Sequence, residues 1–329
     1  MATLISQKTI LFGLPTLLLL ACISSGCGRS ENESENSATS ADSGLGSDSS
    51  IELPAKVLTV NYPLEYFATT IMGELGQVTY PGPISEDPAY WVPSTEIAQQ
   101  YQQADLVLLN GAGYAQWLDK FSLPRKNQLN TSASFRDQWI SETEAVTHSH
   151  GPDGEHTHTG FAFTTWLDPM LAIQQANAIH SILKTLIPEQ QRTFAQNHRP
   201  LIEELNHLDS ELGDLLHQQS NQPWLASHPV YQYFARRYEL SLKSLHWEPG
   251  QELEATDWVQ LDEILSAHPA KYMLWEGEPA TSVKEGLRSR GITPILFETV
   301  STRPETGDYL KSMWGNFKRL KQALSVVVE

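Results

Sequence analysis

Residues 148–158 read H-S-H-G-P-D-G-E-H-T-H, which sets His148, His150, His156 and His158 within eleven positions, with Asp153 and Glu155 among them. Four of the chain's 11 histidines lie here. Neutral imidazole is a borderline-soft nitrogen ligand suited to zinc, nickel and copper, and alternate residues of an extended chain face the same side, so each H-x-H can close on an ion as a pincer. Gly151, Pro152 and Gly154 oppose a helix and let the chain fold back, which brings the two pincers together. The segment 147–159 therefore reads as a metal-handling loop. The plainer alternative is a solvated polar loop whose histidines bind nothing in particular.

What must position this loop starts at the N-terminus. One Lys precedes an apolar stretch, I-L-F-G-L-P-T-L-L-L-L, which is too short to cross a bilayer comfortably and is followed by small residues, the pattern of a secretory signal. The chain's 2 cysteines, Cys22 and Cys27, close that stretch in L-L-A-C and S-S-G-C, and each resembles the lipobox of bacterial lipoproteins. Cys22 has the better leucine three residues before it. Lipidation there would leave Cys27 as an exposed thiol in an exported protein, so Cys27 is the preferred site and Cys22 the alternative. Residues 28–54 are rich in Ser, Asn, Glu and Gly, bury nothing and read as a flexible tether after a signal peptide over 1–27. No cysteine remains beyond them, so a transition-metal site must use His, Asp and Glu. The formal net charge of −17 argues against nucleic acid and anionic lipid surfaces as partners.

From residue 55 onward, strand-like and helix-like segments alternate. K-V-L-T-V at 56–60 is β-branched, and A-D-L-V-L-L-N-G-A-G at 104–113 reads as a buried parallel strand that ends in Asn and Gly. Tyr114 to Phe121 reads as a short helix, and Met170 to Leu186 is amphipathic. Leu201, Leu205, Leu208, Leu212 and Leu215 recur at helical spacing within 189–219, a helix of roughly 45 Å with Pro200 as a candidate kink. The alternation then resumes with P-W-L-A-S-H, K-Y-M-L-W-E and T-P-I-L-F-E as strands. The expected class is α/β: two lobes, each with a mainly parallel sheet flanked by helices, at 55–188 and 220–329, joined by the backbone helix at 189–219. Ligands of open α/β sheets bind beyond the carboxyl ends of the strands, here in the cleft between the lobes.

These motifs together resemble the zinc/manganese-type solute-binding proteins of bacterial ABC transporters, from about residue 56 to the C-terminus. V-N-Y-P-L-E-Y-F resembles the family's opening strand and helix, and D-P-A-Y-W-V-P-S its first ligand loop. T-T-W-L-D-P-M resembles the second ligand loop, and A-S-H-P-V-Y-Q-Y-F-A-R-R-Y the third. A histidine-rich loop just before the second ligand motif is also a feature of the zinc-type members. The resemblance implies a metal held by one side chain from each of four loops. His228 matches the third and Glu298, in I-L-F-E-T, the fourth. The first and second positions carry Ala89 and Thr164 instead of histidine. Two ligands are too few for a tight zinc site. His158 stands six residues before Thr164, a span that reaches about 20 Å when extended, so His156 or His158 can fold back into the vacant positions.

The remaining candidates read more blandly. Asp87 fits a turn, Glu276 and Glu278 a cleft floor, His246 packing beside Trp247, and His207 and His217 solvated or packing roles. His180, His198 and His268 have no partners near them in sequence. The expected function is an extracytoplasmic, lipid-anchored monomer that captures Zn²⁺, with Mn²⁺ second, for an ABC permease. The competing reading is a lipoprotein that keeps the fold but has lost the tight site, its histidine loop acting as a metal buffer or sensor. With no H-E-x-x-H, no G-x-S-x-G and no cysteine nucleophile, an enzyme is not expected.

Overall fold

The β-branched run near residue 56 forms a strand, Ala55–Thr59 (β1), in the computed structural model, which describes residues 55–83, 87–142, 146–149, 155–158 and 160–325. The expected signal peptide, the tether, both cysteines and His150 lie outside the described residues. Asn61 stops β1 and caps the next helix, Tyr62–Met72 (α1): its side chain accepts the Leu64 N–H at 3.2 Å, and Pro63 supplies the fixed φ that suits a first turn. Gly76–Thr79 (β2), Thr95–Gln102 (α2), Leu106–Leu109 (β3) and Gln128–Asn130 (β4) follow. The four strands make a parallel sheet in the order β2-β1-β3-β4. Two residues past β3 stands Gly111, whose φ of +79° and tight neighbours demand glycine, since a Cβ there would stand 2.1 Å from the Ser132 hydroxyl.

Within the first half, the two described strands of the histidine segment pair antiparallel, as a chain that folds back requires. Val146–Ser149 (β5) pairs antiparallel with Glu155–His158 (β6), placing position 148 opposite 156 and position 158 opposite 146. At the foot of this hairpin the Glu142 N–H donates to the Gly160 carbonyl at 2.9 Å.

Pro169–Leu186 (α3) starts at an Asp168 cap that accepts the Met170 and Leu171 N–H groups at 2.9 and 3.4 Å. The long helix, Gln191–Leu216 (α4), runs about 39 Å and carries Pro200 inside it. Its buried stripe follows Leu201, Leu205, Leu208 and Leu212, then shifts from the expected Leu215 to Leu216. The second half repeats the alternation: Pro223–Ala226 (β7), Gln232–Arg237 (α5), Ser241–Ser244 (β8), Ala255–Ala267 (α6), Tyr272–Trp275 (β9), Thr281–Ser289 (α7), Thr293–Leu296 (β10) and Tyr309–Ser325 (α8). Its sheet is also parallel, in the order β10-β9-β7-β8. Pro294 is tolerated because β10 is an edge.

The fold is therefore α/β, with two parallel four-stranded sheets flanked by helices. One apolar core joins the halves, running from Val57 and Leu108 through Leu208 to Leu274 and Ile295. A second core, around Met273, Trp275 and Leu287, lies on the other face of the second sheet. Polar contacts also cross the seam. The Trp166 indole N–H donates to the Thr299 carbonyl at 2.7 Å, the Tyr309 hydroxyl to the Trp166 carbonyl at 2.6 Å, and Arg303 grips both Glu65 oxygens at 2.6 and 2.7 Å. One expected element differs: Tyr114 to Phe121 holds only a 3₁₀ turn, Gln116–Asp119. Tyr114 and Trp117 are both buried, and packing them overrides a regular helix.

Candidate metal centre

The carboxyl ends of β7, β8 and β9 bring three chemically active side chains side by side. Register pairs Ala226 with Ser244 on one side and with Leu274 on the other. Two residues further on, these registers bring His228 beside His246 and beside Glu276, and the side chains meet there. His228 Nδ1 lies 3.6 Å from Glu276 Oε1, and His228 Nε2 lies 3.6 Å from Glu248 Oε1. The His246 ring stands edge-on to that of His228 with centroids 5.8 Å apart. Ala226 and Leu274 belong to the core shared by both halves, and side chains alternate along a strand, so His228 and Glu276 look toward the first half.

The charges in this corner are predominantly negative. Burial pushes the Glu276 carboxyl up to about 8, and Asp87 and Glu248 push it in the same direction. Tyr90 is raised by burial and by Asp87, Glu142 and Glu276, so carboxylates from both halves act on one hydroxyl. Glu142 is itself raised by burial and accepts the Gln232 side-chain N–H at 3.2 Å. Because Glu142 stands at the foot of the histidine hairpin, that hairpin starts beside the same group of carboxylates. Among the described residues, no three His, Asp or Glu side chains yet stand close enough to enclose an ion.

The facing loops of the first half are closed. Ala89 is fully buried, with its N–H donating to the Asp87 carboxylate at 2.9 Å, so Asp87 also makes the turn expected of it. Thr164 is buried and donates its hydroxyl to the Val230 carbonyl, fastening it to the loop that carries His228. Behind them, Gln175 donates to Asn110 at 3.1 Å and to Thr131 at 3.0 Å, and Asn110 donates to the Phe163 carbonyl at 2.9 Å.

Other predicted residues fall elsewhere. Glu298 pairs with Arg319 at 2.7 Å, while its backbone N–H and carbonyl are both held by Asn316. Glu278 pairs with Lys284. Positions 148, 156 and 158 lie on the hairpin strands. His246, expected to pack, sets its ring edge-on to that of His228. His268 bonds the Trp224 carbonyl at 2.9 Å, and His207 packs on Trp314 with centroids 5.1 Å apart. His180 and His198, unassigned from sequence, stack across α3 and α4 with ring centroids 4.2 Å apart.

A family model described as the periplasmic zinc-uptake complex component A matches residues 57–323. The chain belongs to that family. It is 24% identical over 290 residues to the zinc-binding protein AdcA of Streptococcus pyogenes serotype M3, with 82% of this chain aligned but only 56% of that protein's length. It is 24% identical over 243 residues to the manganese-binding lipoprotein MntA of Halalkalibacterium halodurans, covering 73% of this chain and 71% of MntA. The metal-dependent lipoprotein YcdH of Bacillus subtilis shares the fold, with a TM-score of 0.68 at 21% identity over 82% of this chain and 98% of YcdH. Membership in the zinc-uptake component A family accounts for the paired sheets and the long helix. It leaves the ligand set of this chain to its own residues, because Ala89 and Thr164 stand where the resemblance implies histidine.

Proposed function

We propose that this protein is the extracytoplasmic binding component of an ABC importer, which captures a divalent transition metal, zinc first and manganese second, and hands it to a membrane permease. The observation that carries this reading is His228 flanked by two carboxylates, Glu248 and Glu276, at 3.6 Å, in a corner where Asp87 adds further negative charge. A buried carboxylate among like charges is unfavourable until a cation or a proton joins it. His148, His150, His156 and His158 of the rim hairpin deliver or complete the site, and Glu298 is the alternative carboxylate. Export and a lipid on Cys27, or on Cys22, would keep a monomer at the membrane on the periplasmic or cell-surface side. No bond is made or broken: imidazole and carboxylate replace water around the ion, and binding weakens as these groups take up protons.

Isothermal titration with zinc tests the reading. Binding in the micromolar range or tighter that is lost in His228→Ala supports it, and binding no tighter than millimolar that is unaffected by His228→Ala removes it. Ala89 and Thr164 favour a second reading, in which the hairpin buffers metal weakly and the cleft holds none. Deleting residues 148–158 separates the two: a buffer loses nearly all binding, whereas a receptor keeps one cleft site.

A further inference from the structure

We infer that the carboxylate joining His228 on the captured ion is Glu276 rather than Glu298, and that His246 supplies the second imidazole, giving a two-histidine, one-carboxylate set carried entirely by the second sheet. This inference rests on the metal-capture reading and assigns its ligands.

Three observations carry it. The first is register. β8, β7 and β9 are neighbours, and their pairing brings His246, His228 and Glu276 together just past the strand ends. On β10, the pairing of Leu296 with Trp275 sets Phe297, not Glu298, beside Glu276. The second is charge. The Glu298 carboxylate is paired with Arg319 at 2.7 Å, and a cation brought to it would meet the guanidinium. Glu276 instead stands beside the His228 ring at 3.6 Å, with the carboxylates Asp87 and Glu248 acting on it. The third is the pair of carboxylates around one imidazole. With one ring nitrogen and Glu276 on the ion, Glu248 at the other nitrogen can accept its N–H, the carboxylate–histidine–metal arrangement that fixes tautomer and ring orientation.

Imidazole and carboxylate together suit divalent first-row metals, and three ligands from one sheet leave open positions facing the first half and its hairpin. His246 reaches the ion by turning about its side-chain torsions, since its ring centroid is 5.8 Å from that of His228. Glu276 and His246 would then take over the coordination that Ala89 and Thr164 cannot provide.

The test is zinc titration of the full-length protein in detergent, with Co²⁺ absorption spectra as a second readout and thermal melting as a check on folding. Glu276→Gln and His246→Gln are expected to weaken zinc about 30- to 100-fold each and to alter the Co²⁺ bands, while Glu298→Gln stays within about threefold. If Glu276→Gln does not fold, His246→Gln decides. Zinc binding by the unaltered protein that survives Glu276→Gln and His246→Gln but falls with Glu298→Gln overturns the inference and leaves metal capture standing. Failure of the unaltered protein to bind zinc overturns both.

Discussion

The rims at the carboxyl ends of the two parallel sheets are built from the same kind of structure, yet their polar groups are used differently. On the first half, Asn61, Asn110, Thr131 and Gln175 bond one another, Ala89 is sealed and Thr164 is tied to a carbonyl. On the second half, His228, His246, Glu248 and Glu276 crowd together with like charges close by. A rim whose polar groups satisfy each other is a scaffold. A rim that gathers imidazoles and like-charged carboxylates is the one proposed above to receive the ion. Under the proposed function, capture falls to the second half, while the first positions loops.

Removing the receptor rim should have the largest effect: His228→Ala is expected to lower zinc affinity by about 100-fold or more, about 2.7 kcal/mol, read by isothermal titration. Gln175→Leu, on the scaffold rim, should do the reverse. It removes two buried hydrogen bonds, although Asn110 keeps Asn61 and the Phe163 carbonyl and Thr131 keeps the Leu109 carbonyl, and should cost about 1–2 kcal/mol in urea unfolding, with zinc affinity within threefold of the parent. Equal losses of affinity in both variants would erase the distinction between the rims. Restoring histidine at the sealed position sharpens it further. Ala89→His must enter a site with no free space and should destabilise by about 1–3 kcal/mol without tightening zinc; a tighter complex would show that the first rim remains competent.

The smallest effect concerns neither rim. Burial lowers His180, and burial lowers His198 to about 4, with the neighbouring ring and Lys184 acting in the same direction on His198. An unfolded histidine titrates near 6.5, so below that pH the unfolded chain takes up protons that the folded stack refuses. Stability is therefore full above about 6.5 and declines as pH falls toward 4, by on the order of 1 kcal/mol once solvent screening of this half-exposed pair is allowed for. His198→Leu should flatten that acid limb in a pH series of urea melts, and an unchanged slope would assign it to other groups.

Much of the fold was legible from sequence because the central strands β1, β3, β7 and β9 are buried and read as apolar runs, and because α4 carries a leucine stripe. The edge strands β2, β4 and β8 escaped notice. Half-buried sequences such as Gln128–Asn130 and Ser241–Ser244 carry no apolar run or clean alternation. The site was only partly legible for a related reason. His228 announced itself by motif, but His246 and Glu276 gain meaning from strand order and register, which spacing along one strand does not encode. The signal present was a polar, ligand-capable residue one or two positions beyond each of three strands. The stacked His180 and His198 could not be foreseen, since they meet only after α3 packs on α4.

The apolar core that runs from β1 through α4 to β10 also governs how the protein comes apart. Two lobes with separate cores could melt one after the other, and a ligand on one would leave the other's transition untouched. With a shared core the halves lose structure together, so free energy gained by an ion on the second sheet is distributed to amide protons on the first. Zinc bound to the inferred ligand set should slow hydrogen exchange in β1 and β3 as well as in β7 and β9.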